Sequence, residues 1–290
     1  MEDKGSKEKN NVALTSLIAA VFLTGFKLVV GLLTGSLGIL SEALHSALDF
    51  VAAGITWIAV RMSDKPADNN HHYGHGKIEN LSALIETLLL LITCVWIIYE
   101  ATSRLMSGET HIKVTVWSYI VVITSIIIDY SRSRALMRVA KKHNSQALEA
   151  DALHFSTDIW SSAVVLLGLI CYNFGFYMAD SIAALMVAII VIFVCYKLGK
   201  KSINFLLDKV PDETYQKIKS LLDNFNEIEC YHDLKVRASG AEIFAELDIH
   251  VKPDMDISQS HDIATKLENL IKSEIPRSYI HVHIEPNTHQ

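Results

Sequence analysis

The chain has 290 residues, half of them apolar, and a formal net charge of −6. A soluble protein of this length can also be half apolar, so composition alone does not fix its class. The net charge describes neither half of the chain well, and no basic patch with interleaved aromatic residues suggests a nucleic-acid partner. The four cysteines form no CxxC pair, which argues against a disulfide framework.

Long apolar blocks fill the chain as far as about residue 207. A transmembrane helix needs roughly 20 mostly apolar residues, and six segments qualify. The predicted spans are about Val12–Thr34, Leu37–Met62, Ile78–Met106, Val114–Val139, Ala147–Asn173 and Met178–Leu207. Short links at Gly35-Ser36 and Tyr172–Tyr177 predict tight hairpins. The first run is too long for a signal peptide and has no small-residue cleavage site, so it is predicted to be retained.

Basic residues gather on one side of these spans. The N-terminal segment, the links after the second and fourth spans and the end of the sixth span are rich in lysine and arginine. The other side has little beyond Arg104 and Lys113. By the positive-inside rule both termini are cytoplasmic, which predicts a multi-pass protein of the cell membrane.

A polar, mixed tail begins at Asp208 and predicts a small soluble domain. Its predicted elements are a helix at Asp212–Asn226, strands at Ile228–Ala238 and Ala241–Val251, a helix at Ile257–Ser273 and a strand at Tyr279–Glu285. Asp256 or Ser258 is the predicted N-cap of the second helix. The order αββαβ predicts an open α+β sheet with helices on one face. The predicted architecture is thus an all-α membrane domain of six helices (residues 1–207) followed by a cytoplasmic α+β domain (residues 208–290).

Two predicted spans carry the same histidine–aspartate pattern. His45 and Asp49 lie four residues apart in the second span, and His154 and Asp158 in the fifth, so each pair shares one helix face. Ionisable residues are costly in a bilayer and mark ion paths or interiors. Two histidines with two aspartates suit tetrahedral Zn²⁺, whereas Mg²⁺ or Ca²⁺ would favour an oxygen-rich shell. Cd²⁺, Co²⁺ and Fe²⁺ are alternative ions for this site, because geometry and metal availability set selectivity as much as ligand type does. The alternative is that each pair only hydrogen-bonds within the helix bundle.

The link between the second and third spans is a second candidate site. Asp68, His71 and His75 are within reach of one ion, and Gly74 and Gly76 give the backbone freedom. The alternative is an exposed histidine-rich loop that binds metal adventitiously.

The tail is a third candidate. Period-2 spacing places Asp248 with His250, and His281 with His283 and Glu285, on single strand faces, so adjacent strands can assemble one or two metal sites. The predicted tail ligands are His232, Asp248, His250, His261, His283 and Glu285. The alternative is a merely polar, solvated face.

Lys77 and Asp208 form a predicted charge pair. Lys77 begins the third span and Asp208 follows the sixth, so both lie at the cytoplasmic membrane surface, where they can link the membrane part to the tail. Solvated helix ends are the alternative.

These residues resemble one known family, the cation diffusion facilitators, and within it the bacterial zinc and ferrous-iron efflux branch. The resemblance rests on the six-span layout, the two His-x3-Asp pairs, the Asp-x2-His-x3-His loop that runs into Gly76-Lys77, and the histidine-rich tail. It covers nearly the whole chain. It implies a homodimeric metal/proton antiporter whose metallochaperone-like cytoplasmic domain lies at the dimer interface. It also implies that the two pairs are the transport site, with a separate loop site and an interlocking charge pair of Lys77 and Asp208.

Three positions depart from the pattern of that branch. His45 stands where aspartate is usual, which is similar to the zinc-selective members. Asp248 replaces a frequent histidine, and Glu285 a frequent aspartate. In contrast, the tail residues His232, His261 and His283 match the pattern of the branch.

The predicted function is efflux of a divalent cation, Zn²⁺ first, in exchange for protons. Two carboxylates neutralise the ion, and the emptied site needs protons in its place. A broader exporter of Cd²⁺, Co²⁺, Fe²⁺ or Mn²⁺ stays open. A membrane-embedded zinc hydrolase is a different reading, but four ligands fill the tetrahedron and no glutamate stands beside a histidine as general base. A metal-sensing scaffold would not explain ligands in the spans. Whether Glu86, Asp129 or Asp151 lies on the ion path is undecided.

Overall fold

The computed structural model describes residues 4–34, 37–107, 116–173 and 179–287. The chain divides into two compact units. The first is made of Met1–Pro66 and Ile78–Ile203, and the second of Ala67–Lys77 and Asn204–Gln290. Lys113, the link at Gly35-Ser36 and most of the link at Tyr172–Tyr177 lie outside the described residues.

Six long helices build the first unit. They are α1 (Lys4–Thr34), α2 (Leu37–Ser63), α3 (Lys77–Ser107), α4 (Val116–His143), α5 (Gln146–Asn173) and α6 (Ala179–Leu206). Each coincides with one predicted apolar segment. The helices α1 and α4 extend past those segments into charged residues, because lysine, glutamate and arginine are good helix formers outside an apolar run as well.

Three stretches of the described residues are long and apolar enough to cross a membrane: Lys4–Leu33, Ala43–Ser63 and Lys77–Ser103. Large apolar side chains on the helices face outward, since Leu33, Trp96 and Phe193 are 83%, 72% and 68% exposed. Such an outer surface suits a lipid environment and not water.

Small side chains line the contacts between the helices of the first unit. Helix α1 packs on α2 and α4, and α5 packs on α2 and α4. The buried cluster at these contacts contains the alanines Ala13, Ala20, Ala53, Ala147 and Ala152. Small residues let helix backbones approach closely, which is how helices associate in a membrane.

The second unit contains a three-stranded sheet and two helices. The elements are α7 (Asp212–Asp223), β1 (Cys230–Ser239), β2 (Glu242–Val251), α8 (Ile257–Glu274) and β3 (Ser278–Pro286). The strand order is β1-β2-β3, with β1 antiparallel and β3 parallel to β2. Asp256 caps α8, because its carboxylate accepts the Gln259 N–H at 2.8 Å. The predicted αββαβ fold is confirmed.

One face of the sheet is covered by both helices. Leu247 and Ile249 of β2 share a buried cluster with Leu267 and Ile271 of α8 and Ile218 of α7. Because side chains alternate along a strand, the intervening polar residues of β2 lie on the opposite face. That face carries the candidate ligands of the tail.

The loop from Ala67 to Lys77 packs within the second unit, against the turn between β1 and β2. A Cβ at Gly76 would stand 2.4 Å from the carbonyl oxygen of Ser239, and Gly240 beside it has a φ of +60°. The Arg237 guanidinium lies 4.1 Å from the Tyr73 ring centroid. The tail hairpin therefore holds the loop that carries the second set of candidate ligands.

Candidate metal centres

The two His-x3-Asp pairs converge between α2 and α5. His154 Nε2 lies 3.2 Å from Asp49 Oδ1, and His45 Nε2 lies 3.7 Å from Asp158 Oδ1. Within the helices the separations are 3.9 Å for His45 and Asp49 and 3.5 Å for His154 and Asp158. We call these four residues the four-ligand group. Donor atoms of His45, Asp49 and Asp158 lie within 4.8 Å of one another, and His154 adjoins both aspartates. Two nitrogen and two oxygen donors are a set that suits a divalent cation.

Burial differs within the four-ligand group. The side chains of Asp49, His154 and Asp158 are 11%, 5% and 12% exposed, whereas the His45 side chain is 32% exposed. Two carboxylates in a buried position repel each other unless a cation or protons lie between them. The two carboxylates thus make the group a favourable place for a cation.

Three further carboxylates are buried in the first unit, and they interact electrostatically with members of the four-ligand group. Each has a polar partner of its own. Glu86 accepts from Thr56 and Ser82, Asp129 pairs with Arg132, and Asp151 accepts from Ser16. Glu86 and Asp151 are therefore held partly by neighbouring helices, and Asp129 by its own helix.

Lys27 of α1 is absent from the sequence predictions. It is 4% exposed, and its ammonium donates to Ser46 Oγ at 2.8 Å. Ser46 directly follows His45 in the sequence. The signal that reveals Lys27 is a charged residue inside an apolar predicted span. A buried cation at this position changes the charge balance of the ligand group.

The loop brings its three predicted ligands together. Asp68 Oδ1 lies 3.3 Å from His71 Nδ1, and Asp68 Oδ2 lies 3.5 Å from His75 Nε2. The backbone N–H groups of Asn70 and His71 donate to Asp68 and hold the pKa of this carboxyl below its usual range. Gly74 has a φ of 70°, a left-handed conformation that glycine adopts without strain. The loop thus presents an ionised carboxylate and two imidazoles.

Three candidate ligands of the tail form a compact group. His232 Nε2 lies 3.0 Å from His250 Nε2, and both nitrogens lie 3.4 Å from Glu285 Oε2. The register explains this, since β1 aligns His232 with Asp248 and β3 aligns Glu285 with His250. Asp248 Oδ2 is 3.7 Å from His232 Nδ1. The ladder therefore gathers donors from all three strands.

The other tail residues are less closely joined. His283 Nε2 lies 3.6 Å from Glu285 Oε1. His261 is exposed near the start of α8 and joins none of the groups of three donors found among the described residues. The reason is that α8 packs on the sheet face opposite the strand ligands.

Lys77 and Asp208 meet in the second unit. Lys77 Nζ lies 2.9 Å from Asp208 Oδ1, and Arg237 Nη1 lies 3.8 Å from Asp208 Oδ2. The Asp208 carboxylate thus lies between Lys77 and Arg237, all within the second unit.

Known proteins share both parts of the chain. The family model of the cation efflux transmembrane domain matches residues 13–207, and that of the cation efflux protein cytoplasmic domain matches residues 210–287. Transporter MJ0449 of Methanocaldococcus jannaschii, described as uncharacterized, is 31% identical over 281 residues, 96% of this chain and 99% of the relative.

Two other relatives have names that state a cargo or an activity. The manganese efflux system protein MneS of Bacillus subtilis is 27% identical over 97% of this chain and 96% of its own length. The cation-efflux pump FieF of Escherichia coli is 28% identical over 96% of this chain and 92% of its own length. The chain therefore belongs to the cation efflux family, the cation diffusion facilitators, and is a membrane protein for the efflux of divalent metal cations.

Proposed function

We propose that the protein exports Zn²⁺ from the cytoplasm in exchange for protons, by alternating access around the four-ligand group. The observation that carries the proposal is the convergence of His154 on Asp49 at 3.2 Å and of His45 on Asp158 at 3.7 Å, across two helices. Two imidazole nitrogens with two carboxylate oxygens are donors that Zn²⁺ accepts in a tetrahedral arrangement. Imidazole favours zinc and neighbouring transition metals over Mg²⁺ or Ca²⁺.

Proton exchange follows from the chemistry of the same donors. The two aspartates neutralise a bound divalent ion, so the loaded group can be enclosed at modest electrostatic cost. When the ion leaves, two buried carboxylates remain, which is unfavourable unless protons replace it. Because imidazole titrates near neutral pH and binds metal only when deprotonated, His45 and His154 are the proposed proton carriers.

The proposed topology has six membrane crossings with both termini in the cytoplasm. It is supported by six long helices with apolar outer surfaces and by basic residues at one set of helix ends. An ion bound in the four-ligand group would then be loaded from the cytoplasm and released on the other side.

We propose a regulatory role and a dimer for the second unit. Its two donor groups, in the loop and on the strands, lie at the proposed cytoplasmic surface, and the match to the family's cytoplasmic domain supports association of two chains. Metal bound between two such domains would draw them together and bias the transporter's conformational states.

The deciding experiment is zinc flux in liposomes that contain purified protein and an internal zinc indicator. An imposed pH gradient should drive zinc against its concentration gradient, and zinc entry should move protons the other way. Failure of the purified protein to move zinc, with flux of Mn²⁺ or Fe²⁺ instead, would overturn the choice of cargo. A hydrolase or a metal-sensing scaffold would move no metal at all.

The matched variants are Asp158→Asn and Asp262→Asn. The first removes a carboxylate of the four-ligand group and should abolish flux. The second removes an exposed carboxylate on α8 and should leave flux unchanged. Equal flux in both variants would exclude the four-ligand group as the transport site.

A further inference from the structure

One face of α4 carries a stripe of outward side chains whose character changes along the helix. Its members recur every three or four residues, so they lie on one side of the helix. All of them are exposed, and we call them the outer stripe of α4: Ile123, Ile127, Tyr130, Arg134, Arg138 and Lys141. The stripe is apolar at first, passes through a tyrosine that is 55% exposed, and ends in three basic residues. This order of side chains matches the layers of a membrane leaflet from hydrocarbon to headgroup.

The opposite face of α4 is held by its neighbours. The guanidinium carbon of Arg132 lies 3.5 Å from the ring centroid of Phe155 on α5, and Arg132 Nη2 donates to Ser16 Oγ of α1 at 3.1 Å. Leu136, one turn further along α4, is fully buried. Because α1 and α5 hold the helix on this side, the outer stripe is turned away from the helix bundle.

The basic end of the outer stripe has no acidic partner on the described part of the chain. Arg134 Nη1 donates to the Tyr130 hydroxyl oxygen at 3.3 Å, which is a neutral partner one turn away. Neither Arg138 nor Lys141 forms an ion pair with a carboxylate of residues 4–34, 37–107, 116–173 and 179–287, and the same is true of Arg134. Lys142, which lies off the stripe, differs, because its Nζ is 2.6 Å from Glu8 Oε2. The charge of the stripe is thus left for an anion outside the protein.

The dimensions of the stripe fit one leaflet of a bilayer. Ile123 to Tyr130 spans about 10 Å of helix axis, and Arg134 to Lys141 spans about 10 Å more. The polar layer of one leaflet is roughly 5–8 Å thick. Exposed tyrosines favour the boundary between hydrocarbon and headgroups, and long basic side chains extend from there toward the phosphates. With Tyr130 at that boundary, the three basic residues lie at the depth of the headgroups and just beyond them.

We propose that the basic end of the outer stripe binds the headgroups of anionic phospholipids and so anchors the end of α4 at the cytoplasmic surface. Guanidinium groups bind phosphate through paired N–H donors, and each basic residue near an anionic membrane surface adds attraction. An acidic protein would match the charge alone, whereas a lipid also matches the apolar part of the stripe that runs directly into the basic part. The proposal rests on the proposed topology, in which this end of α4 is cytoplasmic.

The test is lipid binding by the purified full chain in mixed micelles, followed by thermal unfolding in the absence of zinc. Phosphatidylglycerol should raise the unfolding temperature, because a ligand of the folded state stabilises it, whereas phosphatidylcholine at the same concentration should not. A triple variant with Arg134→Gln, Arg138→Gln and Lys141→Gln should bind phosphatidylglycerol at least about tenfold more weakly, since three charges near the headgroups are lost. Each variant is compared with its own unfolding temperature in phosphatidylcholine.

The matched control removes the same charge from exposed positions of the second unit, with Lys219→Gln, Lys252→Gln and Lys272→Gln. It should keep the wild-type affinity for phosphatidylglycerol. An equal loss in both triple variants would show attraction to net charge and overturn the proposal, as would unchanged affinity in the variant of the stripe. Soluble glycerol phosphate should not raise the unfolding temperature, and an effect as large as that of phosphatidylglycerol would mean a site for free phosphate instead.

A pair of single variants covers the case in which the triple variant of the stripe does not fold. Arg138→Gln removes a charge of the stripe and should weaken binding of phosphatidylglycerol several-fold. Lys142→Gln removes a charge that Glu8 already matches and should leave binding unchanged. Equal binding by the two variants would overturn the proposal. Because no zinc is present, a protein that binds the lipid but moves no zinc in liposomes would refute the proposed function and not the lipid site.

Discussion

His154 and Asp49 lie on different helices, yet they are closer together than either His-x3-Asp pair within its own helix. The separation is 3.2 Å between the helices, against 3.9 Å on α2 and 3.5 Å on α5. The four-ligand group is thus a property of how α2 and α5 are packed. A shift of one helix against the other changes the distances between donors directly, so helix movement and metal affinity are physically coupled.

Asp49→Asn tests that coupling. The amide is nearly isosteric but cannot supply the second negative charge, so we expect zinc flux to fall by at least about 100-fold, as for loss of a ligand that neutralises the ion. The measurement is initial zinc flux per folded protein in liposomes. Asp256→Asn, at the exposed N-cap of α8, is the control, and it should lose a little stability but no flux. Wild-type flux in Asp49→Asn would exclude this carboxylate as a ligand.

His45→Asp tests what selects the cargo. The change replaces the most exposed donor of the group by a carboxylate, which can bind through one or both oxygens and so accepts larger ions of higher coordination number than tetrahedral Zn²⁺. We expect the ratio of zinc to cadmium flux to fall by about fivefold or more. His72→Asp, in the exposed loop, supplies the same chemical change outside the donor groups of the described residues and should leave the ratio unchanged. A constant ratio in His45→Asp would mean that donor type does not set selectivity.

Local pattern accounts for much of the fold. Apolar run length placed the six helices, and spacing of four residues placed His45 with Asp49 and His154 with Asp158. Strand alternation placed the tail donors on one face. These are short-range periodicities, which a helix or a strand converts directly into shared faces.

Local periodicity does not predict which distant segments contact each other. Nothing local to Gly76 indicates that its backbone lies against Ser239, or that the loop belongs with the tail. The burial of Lys27 and the exclusion of His261 from the donor group likewise depend on which helix faces pack together. Periodicity shows which residues share one face of a helix or strand, but not which other element packs against that face.

Gly76→Ala tests the packing of the loop. The new Cβ would stand 2.4 Å from the Ser239 oxygen and 2.9 Å from the Gly240 nitrogen, both backbone atoms that cannot turn aside. We expect the free energy of unfolding of the second unit to fall by roughly 1–3 kcal/mol and zinc affinity at the loop to weaken, because His75 is the preceding residue. Gly25→Ala is the matched control, since its Cβ would meet nothing within 4 Å. Thermal unfolding and zinc binding of the full chain give the two readouts. Similar results for both variants would rule out the close approach at Gly76.

Glu79 anchors several segments of the first unit through one buried carboxylate. It is 3% exposed and accepts from Lys9 of α1 at 3.0 Å, from Ser63 of α2 at 3.1 Å and from the Ser145 hydroxyl at 2.5 Å. Lys9 is buried as well and also contacts Asp64. These contacts join α1, α2, α3 and the connection between α4 and α5 at one charge.

Glu79→Gln keeps the size and removes the charge, so Lys9 keeps only Asp64 as an anionic partner. Because Lys9 retains one anionic partner, we expect the free energy of unfolding to fall by about 1–3 kcal/mol, which is less than the cost of breaking a fully buried pair. Glu8→Gln breaks the contacts of an exposed carboxylate with Lys142 and His143 and should cost much less. Thermal unfolding of both variants gives the comparison.

A double variant decides whether the loss is electrostatic. Lys9→Met with Glu79→Gln should be less destabilised than the sum of the single changes, because the double change removes the buried Glu79 charge that Lys9→Met alone leaves unmatched. Asp64, which also loses Lys9, is the more exposed of the two carboxylates. Strict additivity would mean that the two residues stabilise the helices independently. A smaller combined loss would show that the ion pair, and not the volume of either side chain, holds these helix ends together.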